Sequence, residues 1–281
     1  MKAVVFSGNR QLELQDFPDP TPGPGEVVVE MKASGMCGSD LKFYRAVGGP
    51  AALGLGNVTG PVIAGHEPCG VVAEIGPGVP EHSAQVGQRV MVHHYKGCGA
   101  CKHCQVGWSQ LCRNGITVYG VTGNGGHAKY IKVPAFTLVP LPEPLSFATG
   151  AAISCGTGTA YNALRRMNLT GRDTLAIWGQ GPVGLSATQL AVEMGARVIA
   201  VEVNGERAAL AKKVGAEIVI DPAQDNPVQA LHELTQGDGV SKALDCSADP
   251  QARYQAVKST DTWGTVCFVG EGGEVKLDVS A

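Results

Sequence analysis

Aromatic residues are scarce, at 5% of 281 positions, and charged residues make up only 17%. The cations form no run and are not interleaved with aromatic rings, and the formal net charge is -3. That composition excludes the basic, aromatic-studded face with which proteins grip nucleic acid. No apolar stretch approaches the roughly 20 residues a membrane-spanning helix needs, so no membrane partner is expected. The opening run Met-Lys-Ala-Val-Val-Phe lacks the apolar core and small-residue cleavage site of an export signal. A soluble, cytoplasmic protein is the expectation. Low charge does not bring disorder, because 44% hydrophobic residues suffice for a sizeable core in one large or two ordinary domains.

Glycine, by contrast, is abundant at 39 residues, which suits tight turns and close approach of backbone to a ligand. Cysteine is also frequent. There are nine, an odd number, and four crowd into Cys98–Cys112. Without an export signal, such a cluster points to metal rather than disulfides.

The first half reads as β-rich. Short apolar runs at Glu26–Lys32, Gly70–Ile75 and Arg89–His93 are separated by Gly/Pro turns. Ser146–Arg166 then reads as helical. From Thr174 the pattern alternates: strands at Thr174–Gly179, Arg197–Glu202, Ile218–Asp221, Lys242–Cys246 and Thr265–Val269, with helices between them. That alternation predicts an α/β fold, a β-rich domain over residues 1–150 followed by a doubly wound parallel sheet over 151–281. Five strands are expected where a full two-halved nucleotide fold has six. A further unit would take about 30 residues. The sheet is therefore expected to be truncated before its last strand.

Cys98-x2-Cys101-x2-Cys104-x7-Cys112 is the most specific motif. Thiolates about 2.3 Å from one zinc need tight turns, and four of them close a tetrahedral site with no position left for substrate. A structural zinc is expected. Bacterial ferredoxin spacing puts the fourth cysteine after x3 and follows it with proline. Here the gap is seven and Arg113 follows.

Cys37, His66 and Cys155 lie far apart, each in a glycine-flanked turn: Gly35-Met-Cys-Gly-Ser-Asp40, Gly65-His-Glu-Pro-Cys-Gly70 and Ser154-Cys-Gly-Thr-Gly-Thr159. Two thiolates and an imidazole are a known catalytic zinc set that leaves the fourth position open. Further on, Gly179-Gln180-Gly181-Pro182-Val183-Gly184 matches G-x-G-x-x-G, after a strand and before an apolar helix. Gly179 permits the turn, Gly181 admits the pyrophosphate, and Gly184 lets helix and strand approach, while the helix N-terminus faces the anion. Glu202, at the end of the next strand, sits where a carboxylate would bind ribose hydroxyls. The cofactor is therefore expected to be NAD rather than NADP, with Arg207 covering the adenine or pairing with Glu202.

These motifs, in this order, resemble the zinc-containing medium-chain alcohol dehydrogenases. Gly65-His-Glu-x2-Gly-x5-Gly76-x2-Val79 is similar to that family's zinc signature, and the resemblance spans essentially the whole chain. It implies a GroES-like catalytic domain, a Rossmann domain and an active site in the cleft between them. It implies two zinc ions per chain: a catalytic one on Cys37, His66 and Cys155, with Glu67 as an acidic neighbour that approaches the metal, and a structural one on Cys98, Cys101, Cys104 and Cys112. Asp40 would orient His66, Ser39 would accept the substrate proton, and Thr159 would line the nicotinamide. Many relatives carry a histidine three residues after the Ser39 equivalent to finish the proton relay, where this chain has Lys42. His94 falls where the family has a pocket side chain. The implied reaction is hydride transfer from a primary or secondary alcohol to NAD. Polyol or threonine-type zinc dehydrogenases, and a non-catalytic zinc-stabilised NAD-binding fragment, remain open. A homo-oligomer of the full-length chain is expected, paired along the Rossmann edge near Glu274–Ser280. Cys69, Cys246 and Cys267 are read as structural, and Asp245 with Cys246 as lining the adenine side or simply packing.

Overall fold

The structure, a computed structural model, describes residues 1–48 and 60–278. Two compact units emerge, Met1–Cys155 and Gly156–Ala281, with a boundary five residues beyond the expected 150/151 division.

In chain order the first unit carries β1 (Lys2–Gly8), β2 (Gln11–Asp16), β3 (Glu26–Gly35), α1 (Gly38–Arg45), β4 (Glu67–Ile75) and β5 (Arg89–Val92). There follow β6 (Tyr95–Lys96), α2 (Lys102–Gln105), β7 (Thr117–Val118), β8 (Tyr130–Pro134), β9 (Leu138–Pro140) and α3 (Phe147–Ala152). An antiparallel sheet in the order β8-β3-β4-β5-β9 forms its body. Valine-rich runs favour the pleated strand, and Val27, Val29, Val72, Val90, Ile131 and Val133 meet in one buried cluster. The pairing of β3 with β4 has a functional consequence. Its register sets Gly35 opposite Glu67, so the chain leaving β3 at Cys37 runs beside the chain entering β4 at His66.

The second unit carries α4 (Gly158–Arg166), β10 (Thr174–Trp178), α5 (Pro182–Glu193), β11 (Arg197–Val201), α6 (Gly205–Lys213) and β12 (Ile218–Ile220). It ends with α7 (Pro227–Leu234), β13 (Val240–Asp245), α8 (Pro250–Lys258) and β14 (Thr260–Phe268). The five strands are parallel in the order β12-β11-β10-β13-β14. Alternate residues of β10 feed two cores: Leu175 and Ile177 join Leu164, Ala187 and Leu244, while Ala176 and Trp178 join Ile199, Leu231 and Ala256. A parallel sheet covered on both faces requires such continuous apolar strands. The chain winds from β10 to β12 on one side and returns on the other at β13. That reversal is the topological switch point outside which doubly wound folds bind nucleotides.

Ser146–Arg166 is not one helix. A π-helical turn, Ile153–Thr157, separates α3 from α4 and carries Cys155. Residues 274–278 form no strand, and 279–281, the end of the expected pairing segment, lie outside the described residues. Among the described residues no helix is long and apolar enough to cross a membrane.

Candidate functional site

Cys37, His66, Glu67 and Cys155 offer one ligand atom each, and all four atoms lie within 4.8 Å of one another. The β3–β4 register supplies the first three, and the π-helical turn supplies the fourth. Cys37 Sγ is 3.0 Å from His66 Nε2 and 2.9 Å from Ser39 Oγ. Behind them, buried Asp40 has two tasks. Its Oδ2 accepts the Cys37 backbone N–H at 2.8 Å, which starts α1, and its Oδ1 is 3.1 Å from His66 Nδ1. The imidazole thus gives Nδ1–H to the carboxylate and turns Nε2 toward the sulfur, the arrangement that orients a metal-binding histidine. Gly35 leaves room for the carboxylate beside this cluster: a Cβ there would fall 2.0 Å from Glu67 Oε2, and the side chain would have to move.

The four groups shift one another's titration strongly. A hydrogen bond from Cys155 outweighs burial and, with His66, pulls the Cys37 thiol down to about 4. Burial works against charge on His66, but Asp40 and Cys37 overcome it and lift the ring to about 10. Burial and then the Cys37 charge push Glu67 up to about 7. Cys155 is driven far up by its bond to Cys37 and by burial. Two sulfurs, an imidazole and a carboxylate converging on one point fit zinc, which takes all three ligand types. His94 is buried with its ring edge-on to His66, centroids 5.2 Å apart. Burial, then the charges of His66 and His93, hold it down at about 3, so it stands there as a neutral ring.

Cys98, Cys101, Cys104 and Cys112 form the second donor group, again within 4.8 Å. Cys101 Sγ is 3.5 Å from Cys104 Sγ and 3.9 Å from Cys112 Sγ. The backbone turns its N–H groups to the sulfurs: Cys98 N–H donates to Cys112 Sγ and Cys101 N–H to Cys98 Sγ, each at 3.3 Å. Asn114 Nδ2 also donates to Cys98 Sγ. Backbone N–H groups aimed at the Cys98 sulfur pull its thiol below the usual range, and a four-cysteine set fits a closed zinc site. All nine cysteines are free of disulfides.

In the second unit the glycine fingerprint forms the turn between β10 and α5. Gly179 has φ +83, and a Cβ on Gly184 would lie 1.9 Å from the Gly179 carbonyl oxygen. Gly181 is the N-cap of α5 and Pro182 opens its first turn, with Val183 following. Gln180 is fully buried, its Oε1 accepting from Thr188 Oγ1 at 2.8 Å. Glu202 is buried at the end of β11. Its Oε2 accepts the Gln180 N–H at 2.6 Å and its Oε1 the Asn204 N–H at 2.8 Å, so the carboxylate is fixed against the glycine turn. The expected Arg207–Glu202 pair does not form among the described residues. Arg207 is exposed, and its backbone N–H is tied to the capping side chain of Asn204 instead. Thr159 is exposed near the start of α4.

Asp245 is fully buried and ion-paired to Arg253, so packing rather than lining describes it. Cys69 lies in a core cluster with Leu141 and Ala151, and Cys246 and Cys267 pack against the core beside Leu244. Motif matching missed two residues. Ser154, whose Oγ lies 3.1 Å from Pro68 O and 3.0 Å from Gly150 O, ties the Cys155 turn to the start of β4. Arg253 had a signal that went unused: an arginine on the same stripe of α8 as buried Ala256.

The family model described as alcohol dehydrogenase GroES-like domain matches residues 23–143, and that described as zinc-binding dehydrogenase matches residues 182–281. The chain is 40% identical over 288 residues to an uncharacterised zinc-type alcohol dehydrogenase-like protein, YphC, of Escherichia coli K12, covering all of this chain and 80% of that protein. It is 33% identical to an L-threonine 3-dehydrogenase of Chromobacterium violaceum, covering 92% of this chain and 74% of the relative. Among solved structures, the alcohol dehydrogenase of Thermus sp. ATN1 superposes with a TM-score of 0.88 at 29% identity, covering 100% of this chain and 81% of the other.

Proposed function

Because this chain belongs to the zinc-type medium-chain alcohol dehydrogenase family, we propose that it oxidises a small-molecule alcohol to an aldehyde or ketone by passing hydride to NAD. One observation carries the reading: the four convergent donors Cys37, His66, Glu67 and Cys155, with Asp40 bonded behind the histidine. Cys37, His66 and Cys155 would hold the catalytic zinc, with Glu67 in reach of the same ion. Cys98, Cys101, Cys104 and Cys112 would hold a structural zinc. When bound, zinc supplies a Lewis acid for the substrate oxygen and NAD supplies the hydride acceptor.

The chain's own residues do the rest. Asp40 fixes the tautomer of His66 through Nδ1. Ser39 Oγ, beside the cluster at 2.9 Å from Cys37 Sγ, accepts the hydroxyl proton and passes its own outward to water. Glu202 selects the cofactor. A 2′-phosphate carries a charge of about -1.5 to -2. Set about 4 Å from a carboxylate, each unit charge costs about 4 kcal/mol at the effective dielectric of a protein surface. After screening, NAD is preferred by roughly a hundredfold.

A threonine or polyol substrate is the second reading. It is favoured by Glu67 in the donor set and by the likeness to a threonine dehydrogenase. NADH absorbance with alcohols, polyols and threonine, using NAD or NADP and with zinc content measured alongside, tests both. The expected result is turnover with one of these classes, about two zinc ions per chain, and a loss of at least about tenfold of the NAD preference in Glu202→Ala. No turnover with any panel member by zinc-loaded protein would leave a non-catalytic NAD binder.

A further inference from the structure

We propose that Arg253 is a positioning residue for the dinucleotide, holding two turns at the carboxyl rim of the parallel sheet against the glycine fingerprint. The inference rests on the NAD reading above.

Asp245 ends β13 and Arg253 sits in the first turns of α8. Arg253 Nε donates to Asp245 Oδ2 at 3.1 Å and Nη2 donates to the Gly270 carbonyl at 2.5 Å. One guanidinium therefore joins the end of β13, the body of α8 and the exit from β14. Asp245 gathers the same pieces. Its Oδ1 accepts from Ser247 N at 2.9 Å and from Ser247 Oγ at 2.6 Å, and its carbonyl accepts from Val269 N and Gly270 N.

The two turns are tightly fitted to one another and to the fingerprint. A Cβ on Gly270 would lie 2.3 Å from Ala248 N, and one on Gly273 would lie 2.6 Å from Ala248 O. Ala248 itself holds φ +64, a left-handed conformation that a non-glycine residue keeps only where its surroundings impose it. On the other side, a Cβ on Gly179 would meet the Ser247 backbone at 3.1 Å, and Cys246 N–H donates to Trp178 O at 2.8 Å. The turn that Arg253 fixes is thus the wall against which the first fingerprint glycine rests. Doubly wound folds bind dinucleotides in the crevice outside these strand ends.

An arginine at such a rim invites a reading as a phosphate ligand. The geometry argues otherwise: its side chain is 8% exposed, with Nε held by Asp245, Nη2 by Gly270 and the guanidinium over the Phe268 ring. Apolar replacements of buried ion pairs are often neutral or stabilising, so stability alone gives little reason for this pair. Geometry gives one, because the fork of a guanidinium meets two acceptors at once where a lysine meets one.

The test uses the full chain. NADH affinity by fluorescence titration, kcat, KM for NAD and for the alcohol, zinc content and Tm are measured for wild type, Arg253→Met, Arg253→Lys and Ser247→Ala. Arg253→Met is expected to weaken NADH binding about tenfold or more and to raise KM for NAD in parallel. KM for the alcohol and zinc content should stay put, with kcat within about threefold. Arg253→Lys should fall between. Ser247→Ala removes the hydroxyl bond to Asp245 and the one accepted from the Asp249 N–H, and should cost about threefold in NADH affinity; it carries the test if Arg253→Met does not fold. A lowered Tm with NADH affinity unchanged in all three variants makes the network merely structural and overturns the proposal. Wild-type protein that binds neither NADH nor NADPH overturns the underlying reading as well, so the two failures are distinguishable.

Discussion

The Cys98–Cys112 lobe and the Cys37–His66–Glu67–Cys155 cluster draw on similar donor atoms and are assembled in opposite ways. The lobe takes its donors from one short segment of tight turns, with backbone N–H groups aimed at the sulfurs and Cys98 exposed. Little apolar packing surrounds it, so a metal there would supply much of its folding free energy. The mixed cluster takes donors from three separated segments that the β3–β4 register and a helix break bring together. Its frame is already held by the buried sheet core, so its ligands are available for chemistry rather than for folding. Catalytic zinc sites keep one coordination position open, whereas structural sites fill all four with protein.

His66→Ala attacks this comparison at its strongest point. It should lower kcat/KM for the alcohol by about a thousandfold or more, some 4 kcal/mol, because the imidazole both holds the ion and completes its charge environment. NADH affinity should change little and Tm should fall less than in a lobe variant. A Tm loss in His66→Ala exceeding that of a lobe cysteine variant would reverse the division of labour.

Cys101→Ser is the complementary variant and should act on stability. Losing one of four thiolates in a closed site is expected to cost on the order of 3 kcal/mol. At about 2–4 °C per kcal/mol, that lowers Tm by roughly 10 °C. Zinc content should drop by one equivalent, and the remaining folded fraction should keep its kcat. Unchanged Tm with lost turnover would show that the lobe serves chemistry instead.

Asp40→Asn sharpens the comparison, since only the mixed cluster has a carboxylate behind a ligand. Removing that partner should weaken zinc at one site by about 10- to 100-fold. Competition with a chelator, followed by counting the zinc retained, should show one equivalent leaving early and the other unmoved. Both equivalents shifting together would mean that Asp40 supports the fold rather than the histidine.

The same contrast governs what was legible beforehand. The lobe could be read because ligand spacing is itself the geometry: x2 gaps make the turn that gathers the sulfurs. The parallel sheet could be read because strands buried on both faces must be apolar throughout. Cys37, His66 and Cys155 were found through family likeness, since nothing local says that Gly35 will sit opposite Glu67. The break in the helix at Ile153–Thr157 was missed because small residues there are compatible with an unbroken helix. Sequence proximity leaves Arg207 either covering the adenine or pairing with Glu202. In the fold, Glu202 is satisfied by two backbone N–H groups and Arg207 lies on an exposed helical turn.

That helix break yields the smallest effect and the finest test of long-range assembly. Cys155 has no strand to hold it, and it sits on a π-helical turn, a local departure from α-helical spacing that recurs at functional sites. Two contacts dock this turn on β4. Gly150 has no side chain, and a Cβ there would fall 2.5 Å from Cys69 Sγ, so α3 approaches the strand closely. Ser154 Oγ then shares its proton between Gly150 O within the helix and Pro68 O on the strand. Pro68 follows Glu67 directly, so this hydroxyl ties the segment bearing Cys155 to the one bearing His66 and Glu67. A hydrogen bond of this kind is worth about 0.5–1.5 kcal/mol net. Ser154→Ala should therefore weaken zinc at the mixed cluster by about 2- to 10-fold, with the lobe zinc and Tm nearly unchanged. Ser154→Thr keeps the hydroxyl and should recover most of the affinity, provided its methyl group is accommodated. Equal zinc affinity in wild type and Ser154→Ala, by chelator competition, would show that the sheet and helix hold Cys155 in place without this tie.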